Sequence, residues 1–172
     1  NLTDNYNPKD HTLNLSDSVY GSSSIAAIGV AAHECGHAIQ HNVGFVPNKI
    51  RPALVPGANI GSRFGPYVAI IGLMMMGYLD SSASQGSLGE TIFFIGILLF
   101  SLAVLFYLVT LPVELDASRR ALKIMRKDGL LQGAELSGAR SVLSAAAMTY
   151  IAAAASAIVT LLRLISYGKR RR

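Results

Sequence analysis

Residues 91–111 contain no charged side chain and are almost entirely Ile, Leu, Phe, Val and Ala with scattered Gly, Ser, Thr and Tyr. Hydrocarbon tolerates only backbone whose polar groups are bonded within the segment, so a run of this length and composition reads as a membrane-crossing helix. The rest of the chain agrees with it. Hydrophobic residues make up 51% and charged residues 15% of the 172, and the mean hydropathy is +0.41. That is too apolar for an ordinary soluble domain. The net charge is +5, and the basic residues gather between apolar stretches and at the C-terminus. Flanks of membrane helices explain this better than a nucleic-acid surface does, so no nucleic-acid partner is expected. A lone cysteine, Cys35, excludes an intramolecular disulfide. The chain opens on Asn with no visible signal peptide.

The expected fold class is mainly α: a helical integral membrane protein with two to three transmembrane helices and a short β-hairpin arm. Residues 1–10 are polar and turn-rich. His11 to Ser16 alternates polar and apolar, which suggests a strand or hairpin arm within residues 1–23. Its free edge could pair with an extended peptide, or it is a plain surface hairpin; six residues favour neither. Pro47, Pro52 and Pro56 with Lys49, Arg51 and Arg63 predict an irregular basic link. Residues 64–79 form an apolar run, short for a crossing, whose Met74–Met76 read as lipid or core packing. Residues 80–90 read as a Ser/Gly-rich acidic loop. Pro112 is expected to end the crossing, with a new helix over 113–127 and a stop at Asp128-Gly129. An alanine-rich apolar helix follows over 141–166, bounded by Arg163 and the basic tail.

One helix in this plan is not ordinary. Residues 24–42 contain His33-Glu34-Cys35-Gly36-His37, an H-E-x-x-H pattern. Two histidines four apart sit one turn apart on one helix face, offset by about 40°, so both rings can reach a single Zn²⁺. Glu34 lies about 100° from His33, where its carboxylate can handle a proton beside the metal without ligating it. Ser22, Ser23 and Ser24 offer N-cap oxygens, residues 25–32 are small and apolar, and Gly44 and Pro47 end the segment. Burying such a polar motif without a ligand is costly. Cys35 points away from both histidines and reads as a small buried hydrophobe. His41, one turn further, reads as a solvent-facing residue ahead of a ligand.

A hydrolytic zinc needs a third protein ligand and an open position. Glu114 and Asp116 are the candidates, with Glu114 favoured; an acidic helix start is otherwise simply good for the helix dipole. Asp116 and Ser118 are then candidates to orient an imidazole, and Arg119 and Arg120 to engage a substrate carbonyl or carboxylate, or to face water. If 64–79 and 91–111 cross as a hairpin, His33 and Glu114 return to one membrane side. The adjacent basic residues make that side cytoplasmic, although a crossing by the last helix would put the basic tail opposite.

The stretches Asp4-Asn5-Tyr6-Asn7-Pro8, Ala32-His33-Glu34-Cys35-Gly36-His37-Ala38-Ile39-Gln40, Leu111-Pro112-Val113-Glu114-Leu115-Asp116-Ala117-Ser118-Arg119-Arg120-Ala121 and Val142–Ala147 together resemble the bacterial membrane-bound neutral zinc metallopeptidase (YugP-like) family. The resemblance runs through nearly the whole chain. It implies a single membrane-embedded zinc peptidase domain over 1–172 with a gluzincin-like site, Zn²⁺ as cofactor, a peptide or protein substrate, and a place in the bacterial cell membrane. It implies His33, His37 and Glu114 as metal ligands, Glu114 belonging to an E-x-x-A-[DS]-x-x-A helix that Ala117, Ser118 and Ala121 match. Ser118 stands where Asp is commoner. A further N-terminal membrane segment is also usual in that family. Two other functions compete: an intramembrane protease of the site-2 type, and a non-catalytic membrane protein with a structural zinc site, for which an intact Glu34 has no use.

Overall fold

The computed structural model describes residues 4–78 and 88–169. Most of the expected acidic loop, and the tail beyond Lys169, lie outside the described residues. The elements are β1 (Asn5–Asn7), β2 (Thr12–Asn14), α1 (Asp17–Tyr20), α2 (Ile25–Asn42), α3 (Val46–Tyr78), α4 (Leu88–Lys127) and α5 (Gly133–Lys169). They fall into two compact units, Asn1–Lys49 with Thr110–Ile151, and Ile50–Val109 with Ala152–Arg172.

In the first unit, β1 and β2 pair antiparallel with Tyr6 opposite Leu13. Side chains make the hairpin's closures. Asp10 accepts from the Thr12 amide at 3.2 Å across the turn, and Asp4 accepts from the Ser16 amide at 2.7 Å at the open end. The capping serine of α2 is Ser24, whose hydroxyl accepts from the Ala27 amide at 3.2 Å. At its other end Gly44 takes φ +67°, which lets the Phe45 amide reach the Gln40 carbonyl at 2.9 Å and the Gly44 amide reach His41 at 3.1 Å. These two bonds are a Schellman closure, and a side chain at Gly44 would strain it. The unit's apolar core joins Ala32 of α2 to Ala121 and Met125 of α4 and to Ala139 and Leu143 of α5.

The second unit is built from α3, the first half of α4 and the end of α5. Its core includes Ala69, Phe93, Phe100, Ala103, Val104, Ala157 and Leu164. α3 and α4 run antiparallel and touch backbone to backbone: a Cβ on Gly61, Gly72 or Gly96 would meet the main chain of Leu99, Phe93 or Ala69 respectively. Such contacts replace the hydrophobic drive that lipid does not supply between apolar helices.

Two expectations about breaks are corrected. The basic proline-rich stretch is not an irregular link, because α3 runs helical through Pro52, Pro56 and Pro66. Pro112 does not end the apolar run either; α4 continues through it to Lys127. In water each interior proline disfavours a helix by roughly 3 kcal/mol. Packing offsets it here: Val113 and Ala117 just past Pro112 are fully buried, and Gly57 and Gly61 near Pro56 press against Leu102 and Leu99 of α4, so a continuous helix keeps contacts that a break would lose. α5 likewise begins at Gly133, ahead of the expected 141. Three of the described helices are long and apolar enough to cross a membrane, Val46–Gly77, Leu88–Lys127 and Gly133–Lys169. The chain is a mainly α membrane protein.

Candidate metal centre

Three side chains meet inside the first unit. α2 brings His33 and His37 to one face, their rings edge to face with centroids 4.7 Å apart. α4 brings Glu114, only 3% exposed, so that its Oε2 lies 3.2 Å from His33 Nε2 and 3.6 Å from His37 Nε2. One helix contact sets this register. A Cβ at Gly36 would collide with the carbonyl of Ala117, so only glycine lets α2 approach α4 this closely, three residues from Glu114.

The donor set fits a zinc ion. One ligand atom from each of His33, His37 and Glu114 lies within 4.8 Å of the others. Tetrahedral bonds of about 2.0–2.2 Å hold donors roughly 3.3 Å apart, close to the two Nε2–Oε2 separations. Each imidazole is also held by its other nitrogen, as metal-binding histidines are. Ser118 Oγ lies 3.2 Å from His33 Nδ1, and Gln40 Oε1 lies 3.0 Å from His37 Nδ1.

The remaining expected residues are elsewhere. Asp116 turns to Arg120, 2.6 Å away, and to Gln40, 3.0 Å away, so Arg120 is engaged within the protein. Arg119 is exposed. Cys35 is half-buried rather than buried, and burial together with the Glu34 charge raises its thiol pKa. His41 is not the solvent-facing residue expected: its Nδ1 takes the Tyr6 hydroxyl at 2.8 Å, and His11 stacks edge-on against it at 5.1 Å. β1 packs on α2, and its Tyr6 amide donates to Glu34 Oε2 at 2.8 Å.

Two residues important here were assigned no role from the sequence, although both stand in the stretches that carry the resemblance. Gln40 had a usable signal, since it lies three residues after His37 and therefore on the ligand face. Tyr6 had none, because its link to Glu34 runs through the backbone.

Electrostatics follows from this crowding. Burial raises the pKa of Glu34, opposed by the nearby His37 and His33 and by the Tyr6 amide. For His37, burial acts to lower the pKa, but the bond to and charge of Glu114, with Gln40, outweigh it and the net shift is upward. The cluster thus favours a positive charge between the rings and Glu114, the place a dication would take.

Residues 1–169 match the model of a family described as "Putative neutral zinc metallopeptidase". The chain belongs to that family. Zinc is accordingly the metal to be expected in this metallopeptidase, and His33, His37 and Glu114 are the described residues grouped to receive one. The metallopeptidase is also 41% identical over 164 residues to "Putative membrane protease YugP" of Bacillus subtilis (strain 168), an alignment covering 95% of this chain and 68% of the relative. No solved structure matches it.

Proposed function

We propose that this metallopeptidase hydrolyses peptide bonds as a gluzincin-type endopeptidase of the bacterial cell membrane. In this reading zinc is held by His33, His37 and Glu114. The observation that carries it is the convergence of Nε2 of both rings on one Glu114 oxygen, at 3.2 and 3.6 Å, with Glu34 one residue from the first ring and outside the ligand trio. When bound, zinc supplies Lewis-acid polarisation of the scissile carbonyl and acidifies water.

The chain's own residues do the rest. Glu34 takes the proton that water loses and passes it to the leaving amine. Its raised pKa suits a group that must hold that proton between the two transfers. The Tyr6 amide fixes one Glu34 oxygen, and Ser118 and Gln40 hold the rings. The peptide or protein substrate reaches a centre carried by a membrane-anchored chain; lipid is its other partner, and nucleic acid has no place in this reading.

The intramembrane alternative has less support, since α2, which carries both histidines, is not one of the three candidate spans. A purely structural zinc leaves the largely buried Glu34 carboxylate no task beyond tying β1 to α2 through the Tyr6 amide. Glu34→Gln in the detergent-solubilised protein tests the assignment. Zinc content should stay at one ion per chain while turnover of a quenched-fluorescence peptide falls about 100- to 10,000-fold. Retained turnover would remove Glu34 from the chemistry. Glu114→Ala should empty the centre and Asp116→Ala should not; the reverse pattern would overturn the ligand set.

A further inference from the structure

The amide of Gln40 is 0% exposed and sits at the junction of α2 and α4. Its Nε2 donates to the Val113 carbonyl at 2.7 Å and to Asp116 Oδ2 at 3.0 Å. Both partners are acceptors, and Asp116 is paired with Arg120 at 2.6 Å. Exchanging the amide's nitrogen and oxygen would set an oxygen against two acceptors, so only one orientation is tenable. The oxygen Oε1 must then face His37 Nδ1, at 3.0 Å. An amide oxygen only accepts, so His37 Nδ1 carries a proton. A neutral imidazole has one N–H, which leaves the Nε2 lone pair directed toward Glu114, 3.6 Å away.

We infer that Gln40 is a positioning residue for the metal centre: it selects the ring tautomer of His37 that offers Nε2 to zinc, and Asp116, backed by Arg120, locks it in that role. The inference rests on the reading of His37 as a zinc ligand. It gives a buried polar side chain a task that a simple α2–α4 tie does not require. A tie needs only the bond to Val113; the bonds to His37 and Asp116 form a relay running Arg120–Asp116–Gln40–His37. Removing such a support typically weakens metal binding about 10- to 100-fold.

The test measures zinc affinity of the full detergent-solubilised chain by competition with a chromophoric chelator. Gln40→Met keeps the volume and removes all three bonds; affinity should fall about 10- to 100-fold. Asp116→Leu should fall several-fold with Gln40 present, and should cost nothing further in the Gln40→Met background, because Asp116 acts only through that amide. Wild-type affinity in a folded Gln40→Met protein, or losses that simply multiply, would overturn the inference. Should Gln40→Met fail to fold, ring ¹⁵N shifts of metal-free Asp116→Leu, compared with the metal-free wild type at alkaline pH where the His37 ring is neutral, decide it. A proton spread onto His37 Nε2 supports the relay, and one still confined to Nδ1 defeats it. His37→Ala separates the two levels. If it loses zinc while Gln40→Met keeps it, only the Gln40 role fails; if it keeps zinc, the ligand set fails as well.

Discussion

At the scale of single residues, the centre depends on one missing side chain as much as on the donors present. Gly36→Ala drives a methyl into the Ala117 carbonyl, so α2 and α4 must separate. Overpacking of this kind destabilises by about 1–3 kcal/mol, and the separation moves both rings from Glu114. Thermal unfolding should show the loss of stability, and chelator competition a parallel loss of zinc affinity. Proton competition gives a second prediction. Glu34 and His37 both have folded pKa values above their ordinary ones, so each binds its proton more tightly folded than unfolded. Metal-free, that contribution is full below the ordinary values, about 4.5 for Glu34 and 6.5 for His37, and is lost as pH rises through the folded ones. In the proposed centre zinc requires the His37 ring without its second proton, so its effect has the opposite sign. The difference in melting temperature between zinc-loaded and chelator-treated protein should therefore widen from about pH 6 to about pH 8; a constant difference would contradict the site's electrostatics.

At the scale of elements, the prolines depart most from local rules. Local rules place a break at Pro112 and an irregular link over Pro52 and Pro56, since a proline lacks the N–H and crowds the preceding turn. Those rules take no account of tertiary packing. α4 instead carries the membrane run and Glu114 on one continuous helix. Pro112→Ala should restore a bond without shifting Glu114, leaving zinc affinity unchanged and the melting temperature equal or higher. A large loss of zinc would mean that the proline bends the helix to aim the carboxylate. α2 was legible to within a residue, because Ser24, the small apolar run and Gly44 are local signals. Gly44→Ala should destabilise by about 1–2 kcal/mol, read as a shift in melting temperature, since its φ of +67° closes the helix. β1 was less legible: residues 5–7 have no alternation to reveal them, and their place is fixed by contacts with α2 and β2.

At the scale of the whole molecule, the second unit leaves Ile60, Phe64, Tyr67, Ile71, Met74, Leu98, Leu105 and Leu162 largely exposed. A soluble surface does not carry so many large apolar side chains in one compact unit, whereas a bilayer requires them. The protein should accordingly stay with the membrane pellet after an alkaline carbonate wash and be released by detergent; release by carbonate alone would contradict a spanning chain. The membrane class and the two-histidine face follow from the sequence because each depends on local composition or helical period. The same spacing gives Gln40 its face but not its partners. Which acidic residue turns to the rings, Glu114 and not Asp116, was settled by tertiary structure. Both lie on one helix two residues apart, and the choice between them depends on the rotation and register of α4 against α2, which the Gly36–Ala117 contact imposes and no single segment encodes.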